Sequence, residues 1–362
     1  MGDSAAMMRV EMLPAQHGDC LLVECGNDAD VHRVLVDTGP PSTWKSLRAR
    51  LDALPRDQRH IDLLVITHID ADHIGSVVRL LDDDALGVTF GDIWFNGFRH
   101  LPAPPADRGV AQAEVLTDRL TAGRDGSALP WNKAFDGDAV RLFDDGSSPV
   151  VTLPFGLTLT LLSPTRDRLA KLRPTWQREI ARLEAGASSD QTEQRRRRDA
   201  PSRHWVEDAA ATKSVDDVAA PNGSSIAFLA EFGGAAGLFG ADAHPDVLST
   251  SLAALAAHRG VTRLSVDAFK LPHHASQANV TTALLDTVTA RDYLVSTNGA
   301  YFDHPDRAAI ARVVLSGDAG KRLVFNYSSR YTDVWSDAAT AERYGYTAVY
   351  PEEGDSGVAV VV

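Results

Sequence analysis

The sequence predicts an α/β fold of two facing sheets with helices packed outside them, and two observations carry the prediction. Short apolar or β-branched runs recur as strands at residues 8–13, 20–24, 33–36, 63–66, 93–95, 157–162, 225–232, 236–239, 268–271, 293–296, 322–326 and 348–350. Helix-forming stretches intervene at residues 43–54, 76–81, 111–122, 176–185, 245–258, 281–288 and 306–315. Helices set between strand clusters must cover sheet faces, so the elements fit a layered sandwich. Residues 63–66, Leu-Leu-Val-Ile, form a run apolar on both faces, as in a buried parallel-type strand. The helix from residue 176 carries Trp176, Ile180 and Leu183 on one stripe, which docks on the protein's own core. No internal repeat or separate second domain is evident. The chain reads as a single domain, residues 1–362, with an insertion at about 97–222.

The strand at 63–66 runs directly into Thr67-His68-Ile69-Asp70-Ala71-Asp72-His73-Ile74-Gly75. In an extended segment His68 and Asp70 project the same way, while Asp72 and His73 turn to the other side. Two ligand pairs then face two neighbouring points. Carboxylates crowded this closely repel one another unless cations neutralise them. Imidazole and carboxylate together suit Zn²⁺ or Mn²⁺. Gly75 lets backbone pass close to the metals as the next helix begins.

Composition bounds the reading. With 362 residues, 44% of them hydrophobic, the chain can bury one large core or two smaller ones. It holds no apolar run long enough to span a bilayer and opens without a basic-then-apolar leader, so a soluble protein off the membrane is expected. Cys20 and Cys25 lie on or near one strand, where a disulfide would strain an extended backbone; a reducing, cytoplasmic setting is the simpler expectation. A formal charge of −13 argues against general attraction to nucleic acid, although bound cations would offset it where a phosphate approaches. The basic run Arg195 to Arg198 sits in a polar stretch and reads as a solvated loop, or alternatively as a phosphate contact. Two aromatic and amide clusters, Trp94-Phe95-Asn96-Gly97 and Pro130-Trp131-Asn132, staple loops to the sheet or line a pocket.

THIDADHIG resembles the signature of the metallo-β-lactamase fold superfamily in its HxDxDH form, which is similar to the hydrolase domain of ComEC-like competence proteins and to phosphorylcholine esterases. Four further segments resemble that branch in the same order. They are Gln16 to Glu24 with Val34 to Gly39, Leu238 to Ala243, Lys270 to Ser276, and Ser296-Thr297-Asn298 with Tyr301, His304 and Pro305. Ala241 and Ala275 stand where the family usually has glycine. The resemblance implies an αββα four-layer sandwich of the metallo-β-lactamase type, one or two Zn²⁺ ions with Mn²⁺ as an alternative, and a binuclear site.

The metal ligands it implies are His68, Asp70, Asp72, His73, Asp242 as a bridge, and one of His273 and His274, with the choice between the last two left open. Asp37 and Asp19 are expected to hold turns and to hydrogen-bond ligand histidines. The superfamily usually supplies another histidine from mid-chain, but His100 and His204 do not sit at recognisable strand ends. Asn222 matches a family asparagine that approaches the first metal or the substrate. Asn298 is a second substrate-side residue. His304 is either a proton or hydrogen-bond donor to the substrate or a helix-start residue without chemistry.

The expected chemistry is hydrolysis by a metal-activated water, with Asp72 or Asp242 orienting the water and His304 assisting the leaving group. The resemblance favours a phosphodiester or nucleic-acid-like substrate. A lactone, thioester or amide hydrolase using the same cations, and a non-catalytic metal-binding regulatory module, are the alternatives.

Overall fold

The computed structural model describes residues 7–27, 30–102, 115–123, 127–178, 204–317, 320–352 and 357–362. Its first five strands are β1 (Met7–Met12), β2 (Leu21–Asn27), β3 (Asp30–Val36), β4 (His60–Val65) and β5 (Thr89–Trp94). Then come β6 (Val150–Thr152), β7 (Thr158–Ser163), β8 (Ala227–Phe232), β9 (Ala235–Phe239), β10 (Leu264–Lys270), β11 (Val288–Val295), β12 (Lys321–Phe325) and β13 (Tyr346–Val349). The last, β14 (Val358–Val361), returns to pair antiparallel with β1. The sheet orders are β14-β1-β2-β3-β4-β5 and β13-β12-β11-β10-β9-β8-β7-β6.

Burial along β4 explains the layering. Leu63 and Val65 enter a core shared with Leu159, Phe228, Phe239 and Leu294 of the other sheet, so this core lies between the sheets. Ile61 and Leu64 face the opposite way, into a core closed by Leu47, Val77, Leu80 and Leu169 of the outer helices. A third core lies outside the second sheet, under the helices Pro245–His258 and Arg307–Leu315. Each strand buried on both faces removes roughly 2 kcal/mol of exposed surface per large apolar side chain, which is why its sequence is a continuous apolar run. Helix, sheet, sheet and helix form the four-layer αββα arrangement of the metallo-β-lactamase fold.

Both sheets carry parallel strands where the site forms: β3, β4 and β5 in one, and β9 through β13 in the other. Their carboxyl ends open at the same edge, where loops in α/β sheets converge on ligands.

Several boundaries differ from the sequence expectation. The helix expected at 281–288 is only Thr282–Leu285, because Val288 already pairs with Leu264 as the start of β11. The strand expected from 225 begins at Ala227, since the preceding residues close a turn from Ser225 N to Asn222 O. Strands β6 and β14 are short edge strands, too brief to leave a periodic signal. Within 97–222, β6, β7 and the helix Arg166–Leu172 belong to the sandwich itself, so that span contributes core as well as periphery. Ile180, Leu183 and Arg195 to Arg198 lie outside the described residues, whereas Trp176 is buried against the first sheet's outer core.

Asn96 and Asn132 each bond both backbone groups of a partner strand or loop, and Trp131 Nε1 donates to Phe95 O, so both aromatic clusters act as loop staples. Among the described residues, no helix is long and apolar enough to cross a membrane.

Candidate metal centre

β4 delivers the chain to Thr67, and the short helix Ala71–Ile74 then turns Asp72 and His73 inward. His68, Asp72 and His73 are buried. From the second sheet, β9 ends at Phe239 and leads through Ala241, at φ +46°, to buried Asp242. β10 ends at Lys270 and leads to a turn in which His273, His274 and Ala275 all have left-handed backbone, at φ +48°, +51° and +63°.

These residues converge. His73 Nε2 lies 3.4 Å from Asp242 Oδ2, and His68 Nε2 and His274 Nε2 each lie 3.8 Å from that same oxygen. His274 Nε2 is 3.4 Å from Asp72 Oδ2, and His68 Nε2 is 3.8 Å from Asp70 Oδ2. Most of these separations are too long for good hydrogen bonds. They match ligand edges around a shared ion, since donors about 2 Å from a tetrahedral centre sit roughly 3.3 Å apart.

Hydrogen bonds on the far side of each ring settle which nitrogen faces inward. Thr67 Oγ1 donates to Asp37 Oδ2 at 2.8 Å and can therefore accept from His68 Nδ1 at 3.0 Å. His73 Nδ1 donates to Asp37 Oδ2 at 2.7 Å, and His274 Nδ1 to Ser296 O at 2.9 Å. Each ring thus turns an Nε2 lone pair toward the centre. Among the described residues, the buried atoms His68 Nε2, His73 Nε2, His274 Nε2 and Asp242 Oδ1 have no hydrogen-bond partner. Buried polar atoms left unpaired cost about 1–3 kcal/mol each, so three imidazole nitrogens converging on the Asp242 carboxylate fit a cation held by imidazole and carboxylate donors. Two clusters with metal-ligand spacing result, His68–His73–Asp242 and Asp72–His73–His274. Asp19 and Asp37 form a third grouping with His73, but there the 2.7 Å contact uses Nδ1 and is a supporting hydrogen bond.

Asp37 and Asp19 both stand behind histidines of these clusters. Asp37, at φ +60° just past β3, also accepts from Thr67 N at 2.8 Å, so it ties the whole His68–His73 segment to its own strand. Asp19 lies 3.4 Å from His274 Nδ1 and receives Lys270 Nζ at 2.6 Å. That buried ion pair joins the two sheets beneath the centre.

Electrostatics follow the geometry. Burial, then the neighbouring His73, push His68 down to about 3. Burial opposes charge on His274 as well, but Asp242 and Asp19 lift it to about 9; Asp242 and the bond to Asp217 lift His273 against burial to about 10. Burial would raise Asp242, yet His73, His273 and His274 hold it well below the usual carboxylate range.

The remaining expected residues are placed as follows. His273 lies beside the centre, with Nε2 3.8 Å from Asp242 Oδ2. Asn222 is buried next to it, its Nδ2 bonded to Asp217 Oδ2 at 2.7 Å and its Oδ1 without a hydrogen-bond partner. His304 is buried with its ring 5.5 Å from that of His273, edge to face. Asn298 closes a turn by accepting from Ala300 N at 2.9 Å. His100 packs on Trp131 and His204 pairs with Glu207, neither at the centre.

Sequence reasoning did not single out Asp217, Asn279 or His17. Asp217 and Asn279 are polar residues in loops with no strand-end signal. His17 lies within electrostatic reach of Asp72, His73 and His274 and stacks on Tyr301 at 5.2 Å; the resemblance over Gln16 to Glu24 gives it no role.

Residues 13–148 match the family model described as Metallo-beta-lactamase superfamily, a span holding β2 through β5 and the His68–His73 segment. Solved structures similar to the chain include the metallo-beta-lactamase fold protein YhfI from Bacillus subtilis, at 12% identity over 99% of this chain and 100% of that one, with a TM-score of 0.44. Zn²⁺-bound PqqB from Methylobacterium extorquens gives 14% identity over 98% and 99%, with a TM-score of 0.44. The CmlA beta-hydroxylase E377D mutant gives 13% identity over 100% of this chain and 55% of that one, with a TM-score of 0.36. Comparison with curated proteins gives no match.

Proposed function

We propose that the protein is a metal-dependent hydrolase acting on a phosphodiester, with Zn²⁺ as the cation and Mn²⁺ as its substitute. One observation carries the metal reading: three buried imidazole nitrogens from the two sheets, all without hydrogen-bond partners, converge within 3.4–3.8 Å of Asp242 Oδ2, whose sister oxygen Oδ1 is also unpartnered. His68 and Asp70 would hold a first cation, Asp72 and His274 a second and Asp242 both, with His73 within ligand spacing of either group. His274 is chosen over His273 for the second position because its Nε2 is the one beside Asp72. Bound there, a divalent cation lowers the pKa of a water and offsets charge developing on the substrate oxygen.

The chain's own groups do the rest. Asp72 and Asp242 stay ionised and orient the attacking water through their second oxygens. His304, buried beside His273, donates a proton or hydrogen bond to the departing oxygen. The HxDxDH order, like that of the ComEC-like branch, supports a phosphodiester over the other ester-like bonds. A second reading, a lactone or thioester hydrolase, draws on the aromatic rim: Tyr301 is 56% exposed and packs on both His17 and Phe302.

Metal analysis of the purified chain, with assays on bis-(p-nitrophenyl) phosphate, single- and double-stranded DNA and a lactone panel, separates these readings. Phosphodiester cleavage that a chelator abolishes and zinc or manganese restores is the expected result. A fully metallated protein that opens only lactones would replace it with the second reading.

A further inference from the structure

The loop that follows β11 leaves from the centre and returns to it. At its start Ser296 O accepts from His274 Nδ1, and Ser296 Oγ donates to Gly18 O, both at 2.9 Å. At its end His304 packs edge to face on His273, and Asp306 N bonds Ala275 O at 3.0 Å. Both ends of the loop are thus pinned to the turn that carries His273 and His274.

What the loop presents is aromatic. Tyr301 is 56% exposed, Phe302 is partly buried and His304 is buried, so the rings step inward from solvent. Phe302 meets Tyr301 edge to face, with centroids 4.8 Å apart, and lies 6.1 Å from the His304 ring. On the other flank His17 stacks on Tyr301 at 5.2 Å and 25°, with Phe302 6.3 Å away. His17 belongs to the first-sheet side of the centre. The next residue, Gly18, abuts the backbone of Asp72, and Asp19 N bonds Asp72 O at 3.2 Å. The rings therefore form one wall that runs from beside Asp72 to beside His273.

The wall is held in place by polar contacts behind it. Asn298 N bonds Gln16 O at 2.8 Å, which joins the two flanks. Gln16 N donates to Tyr327 Oη at 2.8 Å, and Gln16 Oε1 accepts from Ser42 Oγ at 2.9 Å. Farther along, Gly299, at φ +71°, packs so closely that a methyl there would meet the Tyr331 ring at 2.1 Å, and Tyr331 Oη donates to the Asp303 carboxylate. An exposed ring already fixed this way loses little freedom when a ligand stacks on it. Charge contributes less. Arg330, next to this loop, pairs with Asp303 at 3.6 Å and lies over the Tyr331 ring, and the chain as a whole carries −13. The wall is built to attract ring faces rather than a run of phosphates.

We propose that His17, Tyr301 and Phe302 form a substrate subsite that stacks a planar aromatic ring carried by the phosphodiester, either a nucleobase or an aryl group. The proposal rests on the phosphodiester reading above and deepens it: the buried imidazoles and carboxylates address the phosphoryl group, and the wall addresses the ring attached to it. Stacking of this kind accepts many rings, because each has a π face.

The test uses the full chain loaded with Zn²⁺. Calorimetric binding of phenylphosphonate and of methylphosphonate, neither of which has an ester to cleave, reads the wall without turnover. The phenyl compound should bind more tightly than the methyl one, and Tyr301→Ala should cut that advantage roughly tenfold, the size of effect alanine has at aromatics that stack bases. Tyr301→Phe, which keeps the ring, should retain it. Kinetics then name the source of the ring: bis-(p-nitrophenyl) phosphate and thymidine 5′-(p-nitrophenyl phosphate) are each compared with methyl p-nitrophenyl phosphate, which shares their leaving group. A kcat/KM preference for the aryl or the thymidine ester that falls in Tyr301→Ala, mainly through KM, identifies an aryl group or a nucleobase respectively. A phenyl advantage and ester preferences that are the same in wild type and Tyr301→Ala would overturn the subsite. A metallated wild type that cleaves none of the three esters, yet loses its phenyl advantage in Tyr301→Ala, would remove the phosphodiester reading and leave the wall standing.

Discussion

The two sheets contribute to the centre in opposite ways. The first sheet supplies His68, Asp70, Asp72 and His73 from one hexapeptide, secured by a single carboxylate, Asp37, on the adjoining strand. The second sheet supplies Asp242 from one loop and His273 and His274 from another, each bent through left-handed backbone, with partners such as Asn279, Ser296 and Asp217 drawn from other segments. Ligands encoded by local spacing need only a strand end and a turn. Ligands gathered from several loops require the whole sandwich to be in register first, and their supporting residues are correspondingly numerous.

Asp242→Ala is the strongest way to break this division, because His68, His73, His273 and His274 all face the Asp242 carboxylate. Hydrolysis should fall to the uncatalysed background and metal content should drop sharply, measured by elemental analysis beside the phosphodiester assay. If the hexapeptide held its cations alone, metal content would survive and the two halves would be independent.

Lys270→Met comes next. Lys270 and Asp19 are both buried, and their 2.6 Å contact joins the sheets. Removing one partner leaves a buried charge without compensation, which costs about 3–5 kcal/mol. Denaturant unfolding should register that loss, with metal affinity falling on the His274 side. An unchanged midpoint would mean that the sheets are held together without this link.

Two glycine substitutions sharpen the comparison. A methyl at Gly18 would lie 1.9 Å from Asp72 O, a backbone atom of the hexapeptide. At Gly223 it would meet the His244 ring at 2.6 Å. Both overpack and should destabilise by roughly 1–3 kcal/mol. Gly18→Ala should be the costlier, since it displaces main chain, and it should also weaken the second cation. Thermal melts with and without zinc would reverse that order if the turn carrying Gly18 can slide.

The smallest effect is in pH. In the metal-free protein His274 is lifted to about 9 and His273 to about 10, mainly by Asp242 working against burial. Raised imidazoles contribute stability that is complete below their unfolded value near 6.5 and is lost as pH rises through 9 to 10. Melting of chelated protein should therefore decline across that interval. Zinc uptake near neutral pH should release protons, because ligation needs the neutral rings. A chelated protein whose melting temperature rises from pH 7 to 10 would contradict the charge pattern around the second-sheet histidines.

The hexapeptide was legible in the sequence because everything that defines it is local: an apolar strand, alternation along an extended segment, and a glycine exit. Asp242 and the 273–274 pair were legible more weakly, as polar residues just past apolar strands. Which of the two histidines faces Asp72 was not, because that depends on a left-handed turn at positions where alanine and histidine give no glycine signal. Asp217 and Asn279 were silent for a related reason: they meet 62 residues apart, and nothing in either neighbourhood encodes the partner. By itself the sequence determined the α/β class, the layered burial and the chemistry of the donor set, since periodicity and side-chain type are properties of short segments. Tertiary structure alone decided which ring nitrogens face inward and which carboxylates stand behind them, because those distances arise only when two separately formed sheets pack face to face.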